Sequence, residues 1–329
     1  MLDSNLRVTV KSVRKLNDKY TELVINAPLM SDKFRPGQFF KLQNYECTAG
    51  KLNGSLLTSG NLALFGCGAD PANGTITLIV DDHGVSSHIA SSLKEGDRVF
   101  LSGPGGSPLD IPKGKTVLLA GEDFGNPALI PVLKELKENG NKTLLFAYYR
   151  DSSDAIKVEE LEELADQIVW CYSEGGEVLR GRNEDLTCNA DIGECMKNYV
   201  TGNLGGRKKI EFNDVSSILV IGSPDFLDEV RNAKKELKDY FGEVASLGSV
   251  NSPMQCMMKG VCADCMQKLV DPETGEEKFV YSCAEQFQDL DCIDIENLKE
   301  RLMQNSAMDK VNLEYFRLIS DGKTLQPVK

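Results

Sequence analysis

Residues 115–140 read KTVLLAGEDFGNPALIPVLKELKENG. Val117, Leu118, Leu119 and Ala120 make a short apolar run of the kind that fills a strand buried on both faces. A glycine-bearing turn follows. Leu129, Val132, Leu133 and Leu136 then fall on one helical face, and Gly140 is placed to stop that helix. Strand, turn and helix together form the repeating unit of a parallel α/β sheet. The alternation continues downstream. KTLLFAYYR (142–150), IVWCYS (168–173) and SSILVIG (216–222) read as strands. VEELEELADQ (158–167), ADIGECMKNYVTG (190–202) and PDFLDEVRNAKKELKDYFG (224–242) read as helices, with residues 175–214 the least regular part.

Before residues 111–115 the pattern is different. LRVTVKSVRKL, YTELVINAP, RPGQFFKLQ, GTITLIVDD and DRVFLSGPGG are short, rich in β-branched or aromatic residues, and separated by turn residues. Only SSHIASSLKEG (86–96) reads as a helix there. Such a series of short strands predicts a small antiparallel barrel. The expected fold class is therefore β plus α/β: an N-terminal antiparallel β-barrel over 1–111, a Rossmann-like parallel α/β domain over 112–247, and a small cysteine-bearing segment with a helix and tail over 248–329.

Composition narrows the function. Of 329 residues, 41% are apolar and 26% charged, as in ordinary globular chains. The net charge of −13 argues against nucleic acid, whose binding rests on Lys and Arg at phosphates. No apolar run reaches membrane-span length, and MLDSNLRVTVKSVRK lacks the apolar core of a signal peptide. A cytoplasmic chain without membrane partners is the expectation.

The chain has 10 cysteines. Cys47, Cys67, Cys171, Cys188, Cys195 and Cys292 are scattered and read as ordinary thiols. Cys256, Cys262, Cys265 and Cys283 are concentrated, spaced C-x5-C-x2-C-x17-C. DPETGEEK (271–278), inside the long gap, reads as a turn between two strands. Four thiolates can hold a [2Fe–2S] cluster, a [4Fe–4S] cluster or a structural zinc. Three on one loop and a distant fourth come closest to the plant-type [2Fe–2S] spacing, with a first gap one residue longer.

A barrel, an α/β domain and then NSPMQCMMKGVCADC, YSC and ERLMQNSA resemble the ferredoxin–NADP reductase superfamily over nearly the whole chain. The likeness is to the electron-transfer subunit of dihydroorotate dehydrogenase and to small subunits of NAD(P)H:ferredoxin oxidoreductases. It extends to the C-terminal portion of long bacterial FAD-dependent oxidoreductases related to the glutamate synthase small subunit. The resemblance implies FAD, NAD(P)H and a [2Fe–2S] cluster as cofactors, with Cys256, Cys262, Cys265 and Cys283 as ligands.

The resemblance also places the organic cofactors. Its flavin strand, of type Arg-x-(Tyr/Pro)-(Ser/Thr), matches GNLALFGCGAD (60–70), where the arginine and the hydroxyl are replaced. Backbone groups of Leu62 and Leu64 remain to meet the isoalloxazine. VDDHGVSSHIASSL (80–93) matches the element that receives the FAD pyrophosphate, through Gly84, Ser86 and Ser87. Taken alone, either serine reads equally as a helix cap. The nicotinamide motif Gly-Gly-Gly-x-Gly matches Gly121, Gly125 and Asn126, while Glu122 and Asp123 replace two glycines. Two carboxylates there repel a pyrophosphate. The Cys-Gly-Pro motif matches Gly222, Ser223 and Pro224, with Ile221 in place of the cysteine. Arg150 speaks for a 2′-phosphate on the dinucleotide and Asp151 against it.

No protein residue is expected to be catalytic, because hydride chemistry resides in the flavin. The expected function is an electron-transfer unit linking NAD(P)H, FAD and a [2Fe–2S] cluster to a partner redox protein, one of glutamate-synthase-like FAD/NAD(P) fold. The alternatives are a cluster-bearing docking subunit that has lost flavin or nicotinamide binding, and a zinc-stapled structural module.

Overall fold

The computed structural model describes residues 6–175, 181–250, 265–303 and 306–320; Cys256 and Cys262 lie outside the described residues. The N-terminal part comprises β1 (Arg7–Lys15), β2 (Tyr20–Asn26), helix α1 (Pro28–Lys33) and β3 (Phe39–Gln43). A small hairpin, β4 (Lys51–Leu52) and β5 (Ser55–Leu56), leads to β6 (Leu62–Asp70), β7 (Thr75–Asp81), helix α2 (Val85–Ser91) and β8 (Arg98–Gly105). The long strands close into an antiparallel barrel in the order β1-β2-β7-β6-β3-β8.

Period-2 alternation gives the barrel its two faces. Leu23, Ile25, Phe40, Ile76, Leu78, Val80 and Leu101 fill the interior and are all 0% exposed. Ile79 and Phe65 point the other way and join the core of the second domain.

That domain contains β9 (Thr116–Glu122), helices α3 (Gly125–Ala128) and α4 (Ile130–Glu138), β10 (Lys142–Tyr149), α5 (Val158–Leu164) and β11 (Gln167–Tyr172). It continues through β12 (Leu186–Cys188), α6 (Ile192–Thr201), β13 (Ser217–Gly222), α7 (Pro224–Glu236) and β14 (Ala245–Val250). The expected helix after β9 is split at Leu129. Pro131 has no N–H to continue the backbone ladder, so α4 starts afresh with proline in its first turn. Leu129, Val132, Leu133 and Leu136 are buried as their spacing predicts. The short helix α1 was not legible, because six residues are too few to show a period.

The C-terminal part adds the hairpin β15 (Met266–Val270) and β16 (Glu277–Tyr281), then β17 (Gln288–Asp289) and helices α8 (Ile295–Met303) and α9 (Ser306–Ser320). The large sheet has the order β12-β11-β10-β9-β13-β14-β17. Its pairs are parallel, apart from the edge strand β17, which runs antiparallel to β14. Strands β9 to β12 build outward in one direction and β13 to β14 in the other. The order therefore reverses between β9 and β13.

Several ties hold the two bodies together. Lys19, in the β1–β2 turn, pairs with Asp154 at 2.5 Å, and Asn17 Nδ2 donates to the carbonyl of Ser153 at 3.2 Å. Lys157, half-buried at the start of α5, pairs with Glu22 of the barrel. Helix α9 returns to the barrel, where Phe316 meets His88 edge-on at 5.3 Å and the Ile319 carbonyl accepts from Asn53 at 2.6 Å. Among the described residues no helix is long and apolar enough to cross a membrane.

Candidate functional site

The crevice at the carboxyl ends of β9 and β13 lies where the strand order reverses, the position at which open α/β sheets take their ligands. Gly121, Glu122 and Asp123 close β9; Gly222 and Ser223 close β13. The turn from β9 into α3 passes so near β13 that a Cβ on Gly125 would collide with the Ile221 carbonyl, and one on Gly121 with Asn126. Asn126 is 0% exposed and its amide donates to the carbonyls of Asp123 at 3.3 Å and Tyr148 at 3.2 Å. These residues hold the turn in shape. Gly125→Ala is expected to cost about 2–3 kcal/mol, since the obstacle is backbone rather than a movable side chain. Urea unfolding checks it, and an unchanged midpoint contradicts the packing reading.

Ser223 is the N-cap of α7: its Oγ accepts from Phe226 N at 3.2 Å, and Pro224 opens the helix. The Ser223 amide donates to Glu122 Oε2 at 2.6 Å, across the crevice. Burial pushes the Glu122 carboxyl up, opposed by its hydrogen bonds from Ser223. Asp123 sits in the left-handed region at φ 47, its amide donating to Tyr148 O at 2.9 Å. Its Oδ1 is buried without a hydrogen-bond partner. Burial, then the Glu122 charge, pushes Asp123 up to about 6, against the pull of Lys19. At the end of β10, Arg150 is engaged by Glu174 at 2.7 Å, and Asp151 caps the next turn through Ser153 N at 2.8 Å.

The second element is the barrel edge. Leu62 and Leu64 pair with Leu42 and Phe40 of β3, whereas pairing of β6 toward β7 begins only at Gly66. Backbone from Leu62 to Phe65 thus meets a neighbouring strand on one side. Ser86 Oγ accepts from Gly60 N at 2.8 Å, which brings the start of α2 beside that edge. Ser87 Oγ is used within the cap itself: it accepts from Gly84 N at 2.8 Å and donates to Gly84 O at 2.9 Å. The Gly66 amide donates to Gln38 O of β3 at 3.1 Å, so by alternation the backbone groups of Leu62 and Leu64 also point to β3, those of Ala63 and Phe65 point to the open side beside Gly84 and Ser86, and Ser87 shapes the turn. A planar flavin at such an edge would meet the backbone groups of Ala63 and Phe65, with no arginine side chain in the matching strand.

The third element is the cysteine hairpin. Met266 pairs with Tyr281, so the long gap between Cys265 and Cys283 folds into β15 and β16 and returns its ends to one place. The Ser282 amide donates to Cys265 O at 3.1 Å, immediately before Cys283. Cys265 is 2% exposed and Cys283 half-buried. Two of the four candidate ligands are thereby brought together; among the described residues no larger metal-binding group forms. The hairpin is fastened to the barrel. Gln286 Nε2 donates to Gly37 O at 2.5 Å and Ser107 O at 2.8 Å, and Ser107 N donates to Ala284 O at 2.8 Å.

Comparison with known structures places this geometry. A chain from the structure of an NADH-dependent reduced ferredoxin–NADP oxidoreductase superposes with TM-score 0.73 at 22% identity, covering 94% of this chain and 98% of that one. The chain has the ferredoxin–NADP reductase-like fold. The same reductase-like fold is seen in the cytochrome b5 reductase domain of Ulva prolifera nitrate reductase, at TM-score 0.52 and 16% identity, covering 72% of this chain and 95% of that one. Among sequences, an uncharacterised protein of Rickettsia prowazekii is 32% identical over 312 residues, 94% of this chain and 34% of the relative. The electron-transfer subunit homolog of dihydroorotate dehydrogenase B (NAD(+)) from Thermotoga maritima is 30% identical over 177 residues, 54% of this chain and 58% of the relative. The corresponding electron-transfer subunit of Bacillus velezensis is 25% identical over 274 residues, covering 82% and 92%. The chain thus spans about a third of the first of these relatives and somewhat over half of the second. No family model matches.

Sequence reading pointed to the three elements but not to the Glu122–Ser223 bond, which spans 101 positions and exists only through the sheet order.

Proposed function

We propose that this chain is an electron-transfer oxidoreductase unit that links NADH, FAD and a [2Fe–2S] cluster, and exchanges electrons with a partner redox protein of glutamate-synthase-like FAD/NAD(P) fold. One observation carries the reading. The hairpin that reunites Cys265 with Cys283 is hydrogen-bonded to Gly37 and Ser107, beside strands β3 and β8 of the barrel that offers the Leu62–Leu64 edge. A candidate cluster loop and a candidate flavin edge thus share one rigid support.

FAD, when bound, supplies the conversion between two-electron hydride transfer and single-electron transfer. The chain's own residues bind and orient. In the strand that carries Leu62 and Leu64, Ala63 and Phe65 present the open-side backbone groups, Gly84 and Ser86 set the start of α2, and Cys256, Cys262, Cys265 and Cys283 supply the thiolates. The dinucleotide enters at Gly121, Gly125, Asn126, Gly222, Ser223 and Pro224. NADH is favoured over NADPH because Arg150 is committed to Glu174 and Asp151 lies beside it, a poor environment for a 2′-phosphate. The names of the dihydroorotate dehydrogenase relatives specify NAD(+) as well.

The test is a visible spectrum of anaerobically purified chain with iron, zinc and released flavin quantified. About two irons and about one flavin per chain, bleached faster by NADH than by NADPH, are expected. A colourless chain holding stoichiometric zinc overturns the reading and makes the cysteine segment a structural staple.

A further inference from the structure

The nicotinamide reading leaves Glu122 and Asp123 without a role, although they stand where the strand order reverses. Both are acidic, both are largely withdrawn from water, and each deals differently with its charge. Glu122 reaches across the crevice to the amide of Ser223, the N-cap of the 13-residue helix α7. That is the donor an incoming phosphate oxygen would use. Asp123 has no such donor for Oδ1, which is buried without a partner among the described residues.

The surroundings do not relieve Asp123. Glu122 faces it from its own turn, Asp81 from the end of β7, and Asp154 from the turn after β10. Tyr20 of β2 and Tyr149 of β10 lie close enough to feel its charge. Lys19 and Arg150 are the cations that attract it, but Lys19 is already held by Asp154 at 2.5 Å and Arg150 by Glu174 at 2.7 Å. Glu122 in turn faces Asp225 and Glu229 of α7 and the hydroxyl of Tyr148. A dinucleotide pyrophosphate entering here meets the carboxylates of Glu122, Asp123 and Asp225 and finds the Ser223 amide taken.

We propose that Glu122 and Asp123 form an acid-sensitive gate on the dinucleotide crevice: ionised Asp123 excludes the pyrophosphate, and its protonation admits the pyrophosphate, which takes the Ser223 amide as the Glu122 carboxylate turns away. The gate deepens the nicotinamide reading above and rests on it. No bond to the dinucleotide is made or broken. One proton is taken up from solvent by Asp123 on binding and returned when the dinucleotide leaves. The gate makes acceptance of NADH depend on local pH.

The experiment is calorimetric titration of the full chain with 1,4,5,6-tetrahydro-NADH, which binds but cannot give up hydride. A ligand that requires the protonated form binds in proportion to the fraction of that form. The apparent Kd of the wild type is therefore expected to rise about tenfold per pH unit above about pH 6, or about 100-fold between about pH 6.5 and pH 8.5. In the Glu122→Gln/Asp123→Asn variant the Kd should stay low across the range. Asp123→Asn alone tests the proton-linked half if the double variant does not fold, since asparagine tolerates the φ of 47 held by Asp123. Tight wild-type binding that ignores pH overturns the gate and leaves the nicotinamide reading standing. Neutral variants that bind no better than the wild type at about pH 8.5 overturn the gate as well. Absence of binding in every protein at every pH overturns both.

Discussion

Replacing Cys265 with serine is expected to strip the chain of iron. Cys265 is 2% exposed, its carbonyl accepts from both the amide and the hydroxyl of Ser282, and it stands at the end of the hairpin that also delivers Cys283. Serine keeps the shape but offers an oxygen that stays protonated where a thiol ionises and binds a soft metal. With one of four ligands gone, about a tenth or less of the wild-type iron should remain, and the visible bands of the cluster with it. Cys292→Ser is the control. Cys292 lies outside the C-x5-C-x2-C-x17-C set, and its backbone carbonyl, unaffected by the change, accepts from Val270 N at 2.7 Å. Iron content should not change there. Full iron in Cys265→Ser, or equal loss in both variants, contradicts the ligand assignment.

The second large effect concerns stability. Folding raises the Asp123 carboxyl from 3.8 to about 6, mainly by burial. A folded-state value above the unfolded one means that the folded protein holds the proton more tightly. This group therefore opposes folding once the pH exceeds the folded value, and is neutral in effect below the unfolded one. At about 1.4 kcal/mol per pH unit of displacement, the penalty approaches about 3 kcal/mol at neutral pH. Asp123→Asn removes it. The variant should be more stable than the wild type by about 2–3 kcal/mol at about pH 7.5, and the advantage should fade between about pH 6 and pH 4. Urea midpoints across that range check the sign. A variant less stable at about pH 7.5, or a gain that persists at about pH 4, shows that the aspartate is not buried as described.

The large features of the fold were legible because each carries its own period. The face made by Leu129, Val132, Leu133 and Leu136 is buried as spaced, and Gly140 stands beyond the helix end with φ 69. DPETGEEK is the turn it was read as, with Gly275 at φ 72 between β15 and β16. Elements with no room for a period were invisible. β12 has 3 residues and β17 has 2, and both exist because a sheet edge was there to pair with. The candidate site divides in the same way. Cysteine spacing and the Gly121–Asn126 turn are local signals. The hand-off of the Ser223 amide to Glu122 depends on β9 and β13 being neighbours, which no local pattern announces.

The cysteine hairpin is anchored at two places. Through Gln286 and Ala284 it is bound to the barrel. Through β17 it is laced to β14, and Arg231 of α7 grips the Ile293 carbonyl at 2.8 Å. Adjoining domains ordinarily move against each other, and in many enzymes a conformational step sets the pace. Here the segment works as a strut braced against both bodies. A redox group held on it should keep a constant gap to one held on the barrel, so electron hopping between them should be indifferent to solvent viscosity, and thickening the medium with glycerol should slow only the encounter with the proposed partner.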